Sequence, residues 1–159
     1  MLLEGVDDAV VRALVMRATF STRFARALGE PPASLGLAAE LQRQVWQLVV
    51  AHGGRPVRTS ALATELGMTR EHLSRSFSAN GSPNLKRIID LVRVIAAAEL
   101  AKNPGLDLRD VSTVLGFASP SHLATTSMRI AGTKPAWLTR LRTVDILERF
   151  GRGNGRSRS

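Results

Sequence analysis

Leu62-Ala63-Thr64-Glu65-Leu66-Gly67-Met68-Thr69-Arg70-Glu71-His72-Leu73-Ser74-Arg75-Ser76-Phe77 reads as two short helices meeting at a tight turn. Residues 60–66 form the first helix and residues 69–77 the second, which is helix-turn-helix spacing. Ala63 is a small residue four positions before Gly67, so the helices can approach closely, and Gly67 supplies the positive φ the turn needs. Thr69 offers a side-chain oxygen to cap the second helix. Leu73 and Phe77, four apart, face inward and leave Arg70, Glu71, Ser74 and Arg75 on the outer side.

The same pattern returns downstream. Leu66-Gly67-Met68 followed by His72-Leu73 is echoed by Leu115-Gly116-Phe117 followed by His122-Leu123, with glycines 67 and 116 lying 49 positions apart. Asp107 and Asp110 make a cap for a helix carrying Val111, Val114 and Leu115, with small Ser112 four before Gly116. Ser119 followed by Pro120 opens the next helix, since the missing N–H of proline costs nothing at a first helical position. Between the copies, residues 85–102 predict a long helix with Ile88, Leu91, Val92, Ile95 and Leu100 as its apolar set, ended by Asn103-Pro104-Gly105. About 18 residues at ~1.5 Å each span ~27 Å, near the ~34 Å between successive major-groove faces of a duplex.

Upstream, residues 6–28 place Val10, Leu14 and Ala18 on one stripe, with Arg12, Arg17, Arg23 and Arg26 largely elsewhere. Residues 38–51 carry Leu41, Val45, Leu48 and Val49 with Trp46 and stop at His52-Gly53-Gly54, where a boundary between subdomains is expected. Strict alternation over a strand length is missing, so the fold class is all-α: tandem helix-turn-helix subdomains joined by a linker helix and preceded by two amphipathic helices. Three regions are expected: an N-terminal helical segment at 1–54, the duplicated helix-turn-helix segment at 55–142, and a helix end with a basic tail at 143–159. The stretch from Gly151 onward has only Gly, Arg, Asn and Ser and reads as disordered.

Charge is unevenly spread over the 159 residues. The net charge is +9, and 19 of the 22 basic residues are Arg. Residues 1–54 net zero, 55–142 carry +7 and 143–159 carry +2, so the excess sits on the duplicated segment and points to a polyanionic partner. Cysteine is absent, which excludes a disulfide framework, a thiolate nucleophile and cysteine-ligated metal. Glu4, Asp7 and Asp8 interrupt any signal-peptide pattern, and the longest uncharged run, residues 111–128, is too polar for a membrane span. A cytoplasmic, nucleoid-associated protein is expected.

These motifs resemble the DNA-binding domain of the AraC/XylS family of bacterial transcription regulators. The likeness covers roughly residues 57–142 and includes Gly132-Thr133-Lys134-Pro135-x-Trp137, similar to the family's closing glycine, proline and aromatic pattern. The resemblance implies two helix-turn-helix units whose second helices, about 69–77 and 119–130, enter successive major grooves of double-stranded DNA. It places Glu71, Ser74 and Arg75 at base-reading positions, with Arg70 beside them. Arg75 stands out because a guanidinium donates two parallel hydrogen bonds to guanine O6 and N7; the alternative is a phosphate contact. In the second unit the corresponding residues are Pro120, Ser121 and Thr125, where the family often has amides and an arginine, and Ser127 replaces a usual buried phenylalanine. The first unit is therefore expected to dominate specificity.

Regulators of this family usually add a sensing or dimerisation domain, for which about 54 residues are too few. The front helices are left with three roles: packing on the first unit, pairing two protomers as a homodimer, or ending a longer regulator whose sensor domain is missing. RNA polymerase is a further partner implied by the family. Leu73, Phe77, Phe117, Leu123, Trp46 and Trp137 read as core, and His72 and His122 as partly buried structural histidines rather than metal ligands. No cofactor, metal or catalytic motif is expected, since phosphate-binding glycine loops and nucleophile motifs are missing. The competing function is a basic nucleic-acid-binding or architectural protein held by phosphate contacts alone.

Overall fold

The computed structural model describes residues 6–157. The α-helices run in the order α1 (Val6–Leu28), α2 (Glu40–Ala51), α3 (Thr59–Glu65), α4 (Arg70–Phe77), α5 (Leu85–Ala101), α6 (Leu108–Val114), α7 (Pro120–Ala131), α8 (Pro135–Leu138) and α9 (Thr143–Ser157), with short 3-10 turns at Ala33–Leu35 and Ala79–Gly81. Among the described residues there is no strand, and no helix is long and apolar enough to cross a membrane. The side chains of Val10 and Leu14, expected on the apolar stripe of α1, and residues Arg158 and Ser159 of the basic tail lie outside the described residues.

The fold is organised around α5. Its expected apolar set is buried, and so are Val94, Ala96, Ala97 and Ala98, together with two charged residues, Asp90 and Arg93. A helix buried on all sides must be enclosed by neighbours. Here α2, α6, α7, α8 and α9 pack around it, so the connecting helix is also the centre of the core. One continuous apolar cluster runs from Phe24 of α1 through Val45, Trp46 and Val49 of α2 to Leu73, Phe77, Leu123, Ile146 and Phe150.

The N-terminal helices pack on this body rather than standing apart. α1 lies on α2, and α2 lies on both α4 and α5. Trp46 is buried and donates its indole N–H to the Gly29 carbonyl at 2.9 Å, tying α2 to the end of α1. Gly53 and Gly54, where a boundary was expected, are buried at positive φ, and a Cβ on Gly53 would sit 2.3 Å from Ser21 Oγ. This glycine pair is a close approach of backbone to two helices, not a spacer.

Three local expectations need correction. α9 continues to Ser157, so the stretch expected to lack structure from Gly151 is helical that far. It prolongs an amphipathic helix anchored by buried Ile146 and Phe150, and Arg152 reaches back one turn to Glu148 at 3.8 Å. Trp137 is 53% exposed rather than core, because the inward positions of the four-residue α8 are taken by Pro135 and Leu138; the Arg140 guanidinium lies 4.5 Å over its ring. His72 and His122 are also exposed, since Leu73 and Leu123 beside them take the inward direction.

Candidate nucleic-acid interface

The two helix-turn-helix units share one backbone design. In the first, the Gly67 N–H donates to the Thr64 carbonyl at 3.1 Å and the Met68 N–H to the Ala63 carbonyl at 2.9 Å. In the second, the Gly116 N–H donates to Thr113 at 3.2 Å and the Phe117 N–H to Ser112 at 2.9 Å. Both are the paired bonds of a Schellman ending, and both glycines take φ +68. Ala63 and Ser112, whose carbonyls accept the bond that spans more residues, are buried, as their small size allows. The turn lengths differ, with four residues between α3 and α4 and five between α6 and α7, and α7 is the longer second helix.

Each second helix starts from a side-chain cap. Thr69 Oγ1 accepts the His72 N–H at 3.1 Å, and Ser119 Oγ accepts the His122 N–H at 3.1 Å. Such caps satisfy a donor that the first helical turn leaves free and fix where the helix begins. His122 is further oriented by accepting the Ala118 N–H at its Nδ1, 3.3 Å away, with its ring edge-on to Phe117.

On α4, fully buried Leu73 and Phe77 hold the inner face, and the far end is fastened by Gln42 of α2. This buried amide donates from Nε2 to the Phe77 carbonyl at 2.7 Å and to Ser82 Oγ at 2.9 Å, while its Oε1 accepts the Ala39 N–H at 3.1 Å. Arg70, Glu71 and Arg75 lie exposed on the outer face and Ser74 is half-buried beside them. Arg70, Glu71 and Arg75 form no ion pair or side-chain hydrogen bond among the described residues, so their charged heads are open to an external partner.

On α7, Pro120, Ser121 and Thr125 are exposed, but the Thr125 hydroxyl donates to its own helix, to the Ser121 carbonyl at 3.0 Å. Its donor is thereby occupied. Ser127, which stands where a phenylalanine was expected, is completely buried and donates to the Thr133 carbonyl at 2.7 Å. The polar residue is thus satisfied, and α9 supplies apolar bulk to the same helix through Ile146 and Phe150, with Arg149 donating to the Ala131 carbonyl at 3.2 Å.

A charged cluster lies beneath α7 that the motifs did not point to. Asp90 of α5, 3% exposed at its side chain, accepts from Lys86 Nζ at 3.2 Å and from Arg129 of α7 in a close ion pair. One turn further along α5, Arg93 is buried, and this burial pulls its pKa below the ordinary guanidinium value while the Asp90 charge opposes the shift. The signal was present in kind: Lys86, Asp90 and Arg93 recur at i, i+4 and i+7, one charged row on an otherwise apolar helix, and charges on a helix enclosed by neighbours have to be partnered. Among the described residues no group of His, Asp or Glu is arranged to hold a metal ion.

Residues 62–140 match the family model described as a helix-turn-helix domain. No curated protein and no solved structure matched the chain.

Proposed function

Residues 62–140 belong to the AraC-type helix-turn-helix family, a DNA-binding domain of transcription regulators, and from that premise we propose that the protein recognises specific duplex sequences through α4 and α7. Arginine-rich phosphate contacts position the domain, and the two second helices read base edges in successive major grooves. The observation that carries the reading is the α4 outer face: Arg75, unpaired and exposed, stands beside Glu71 and Ser74 on a helix fixed at both ends by Thr69 and Gln42. A guanidinium held in this way suits bidentate contact with guanine.

The first unit dominates specificity in this reading, because the second offers Pro120, Ser121 and a Thr125 whose donor is already used. The protein acts in the cytoplasm on the nucleoid, and the position of its site relative to a promoter decides between activation and repression. Polymerase, a second copy of the chain, and a sensor domain beyond the 159 residues are the partners this function would draw on.

Selection of sites from a random duplex library at physiological salt tests the proposal. An enriched motif is expected, and Arg75→Ala should relax it at defined base pairs by about 10- to 100-fold, the worth of a good bidentate pair. Thr125→Ala should weaken specific binding far less. Absence of enrichment, with affinity falling uniformly with salt, would favour the phosphate-only binder. Equal losses for Thr125→Ala and Arg75→Ala would overturn the primacy of the first unit.

A further inference from the structure

The two helix-turn-helix units meet at a seam that contains neither recognition helix. The segment 54–56 leading into α3 lies against the turn 115–117 between α6 and α7. A Cβ on Gly54 would fall 2.3 Å from Ala96 Cβ and 3.3 Å from Leu115 Cδ2, and one on Gly116 would fall 2.9 Å from Pro56 Cδ. One glycine from each unit, both at positive φ, therefore removes a side chain where the units touch.

Arg93 of α5 lies across this seam. Its Nε donates to the Gly54 carbonyl at 2.9 Å, its Nη2 donates to the Leu115 carbonyl at 3.0 Å, and its guanidinium carbon sits 3.8 Å from the centre of the Phe117 ring. The residue is 6% exposed. A guanidinium is planar, so two of its donors point in fixed relative directions, and stacking on Phe117 fixes the plane as well. One rigid group thus holds backbone from the entry to the first unit and from the turn of the second. Asp90, one turn away on the same helix, holds α7 through Arg129. The setting of α7 relative to α4 depends on these polar contacts as well as on the surrounding apolar packing.

We propose that Arg93 is a positioning residue that fixes the relative setting of the two reading helices, and with it the spacing between the half-sites that the protein accepts. The inference rests on the proposed reading that both units engage one duplex. Replacing Arg93 should leave the α4 surface intact, because no contact of Arg93 reaches that helix, while loosening the distance and angle between the heads.

The test uses the full chain and three kinds of duplex: the selected site, the same site with the gap between half-sites changed by one or two base pairs, and the α4 half-site alone. The wild-type protein should discriminate against the altered gaps by about tenfold or more, a loss comparable to one or two mismatched base pairs. Arg93→Met should bind the isolated half-site within about threefold of wild type, yet discriminate between gaps by less than about threefold. Arg93→Lys keeps the charge but lacks the fork, and its gap preference should flatten as well. A full spacing preference in Arg93→Met would overturn the proposal, and so would equal proportional losses on the half-site and the whole site, the mark of a merely structural role. If Arg93→Met shows no cooperative melt, Arg93→Lys decides by the same ratio, and undiminished discrimination would refute the assignment. A wild-type protein that prefers its motif but tolerates every gap refutes this inference and leaves the proposed function standing; one with no preferred motif refutes both.

Discussion

Alanine at the two turn glycines should have unequal effects, although the backbone is the same at both. Gly67 and Gly116 each sit at φ +68, so alanine at either pays for a left-handed conformation, roughly 1 kcal/mol. At Gly67 nothing lies within 4 Å of the added Cβ, and the backbone term is the whole cost. At Gly116 the Cβ meets Pro56 Cδ at 2.9 Å and Cγ at 3.3 Å. The atoms belong to a closed ring that cannot rotate aside, so backbone at 54–56 or 115–117 must move. Overpacking of this kind costs a further ~1–3 kcal/mol. The expected loss is about 1 kcal/mol for Gly67→Ala and about 2–4 kcal/mol for Gly116→Ala. For a chain of this size each kcal/mol lowers Tm by about 2–4 °C. Thermal melts followed by circular dichroism, with urea titrations at 25 °C as a second reading, separate the two. Equal losses, or a larger loss at Gly67, would refute the packing of the second turn against Pro56.

Two further outcomes follow from side-chain oxygens. Asp107 caps α6 by accepting the Asp110 N–H at 2.8 Å, and this bond holds its carboxyl below the ordinary value of 3.8. A folded-state pKa that is depressed contributes stability at neutral pH, which is lost as pH falls through the carboxylate range. Asp107→Asn should therefore narrow the gap to wild type on acidification, and urea midpoints from pH 7 down to pH 3 that run parallel would contradict this. Ser127→Ala removes the buried hydroxyl that donates to the Thr133 carbonyl and should cost about 1 kcal/mol despite deleting one atom; a neutral result in the same titration would mean that the carbonyl finds another partner.

What the sequence made legible was whatever depends on neighbours along the chain. The stops at Gly67 and Gly116, the caps at Thr69 and Asp107, the helix opened at Pro120 and the inward pair Leu73/Phe77 are all local matters of φ, capping or helical period, and the structure has each of them. Contacts between segments distant along the chain were not legible. Gly53-Gly54 reads as a helix stop, and only the packing of Ser21 and Ala96 against it shows a junction. Trp137 reads as core by residue type, but its place in a one-turn helix with Pro135 and Leu138 turned inward leaves it outside. Asp90 and Arg93 read as two charges on an apolar helix. Lys86, one turn before Asp90, follows from helical period, but the other partners, Arg129, Gly54 and Leu115, come from three other segments that no periodicity predicts.

The repeat is symmetric in its turns and asymmetric in its surroundings, and the asymmetry bears on how the two heads share the work. The α3–α4 pair is held chiefly by α2, through Gln42 at one end of α4, and its turn at Gly67 faces open space. The α6–α7 pair is embedded: α7 packs on both α5 and α9, Arg129 reaches the buried Asp90, and the turn at Gly116 is pressed onto Pro56. Its outward hydroxyl at Thr125 is bonded to its own helix, and its buried hydroxyl at Ser127 serves the next loop. Rigidity with fewer free base-reading groups suits a unit that chiefly sets position, whereas free charged heads on a capped helix suit one that chiefly reads. This supports the proposed primacy of α4 in reading, with α7 as the reference against which it is held and Arg93 at the junction between them.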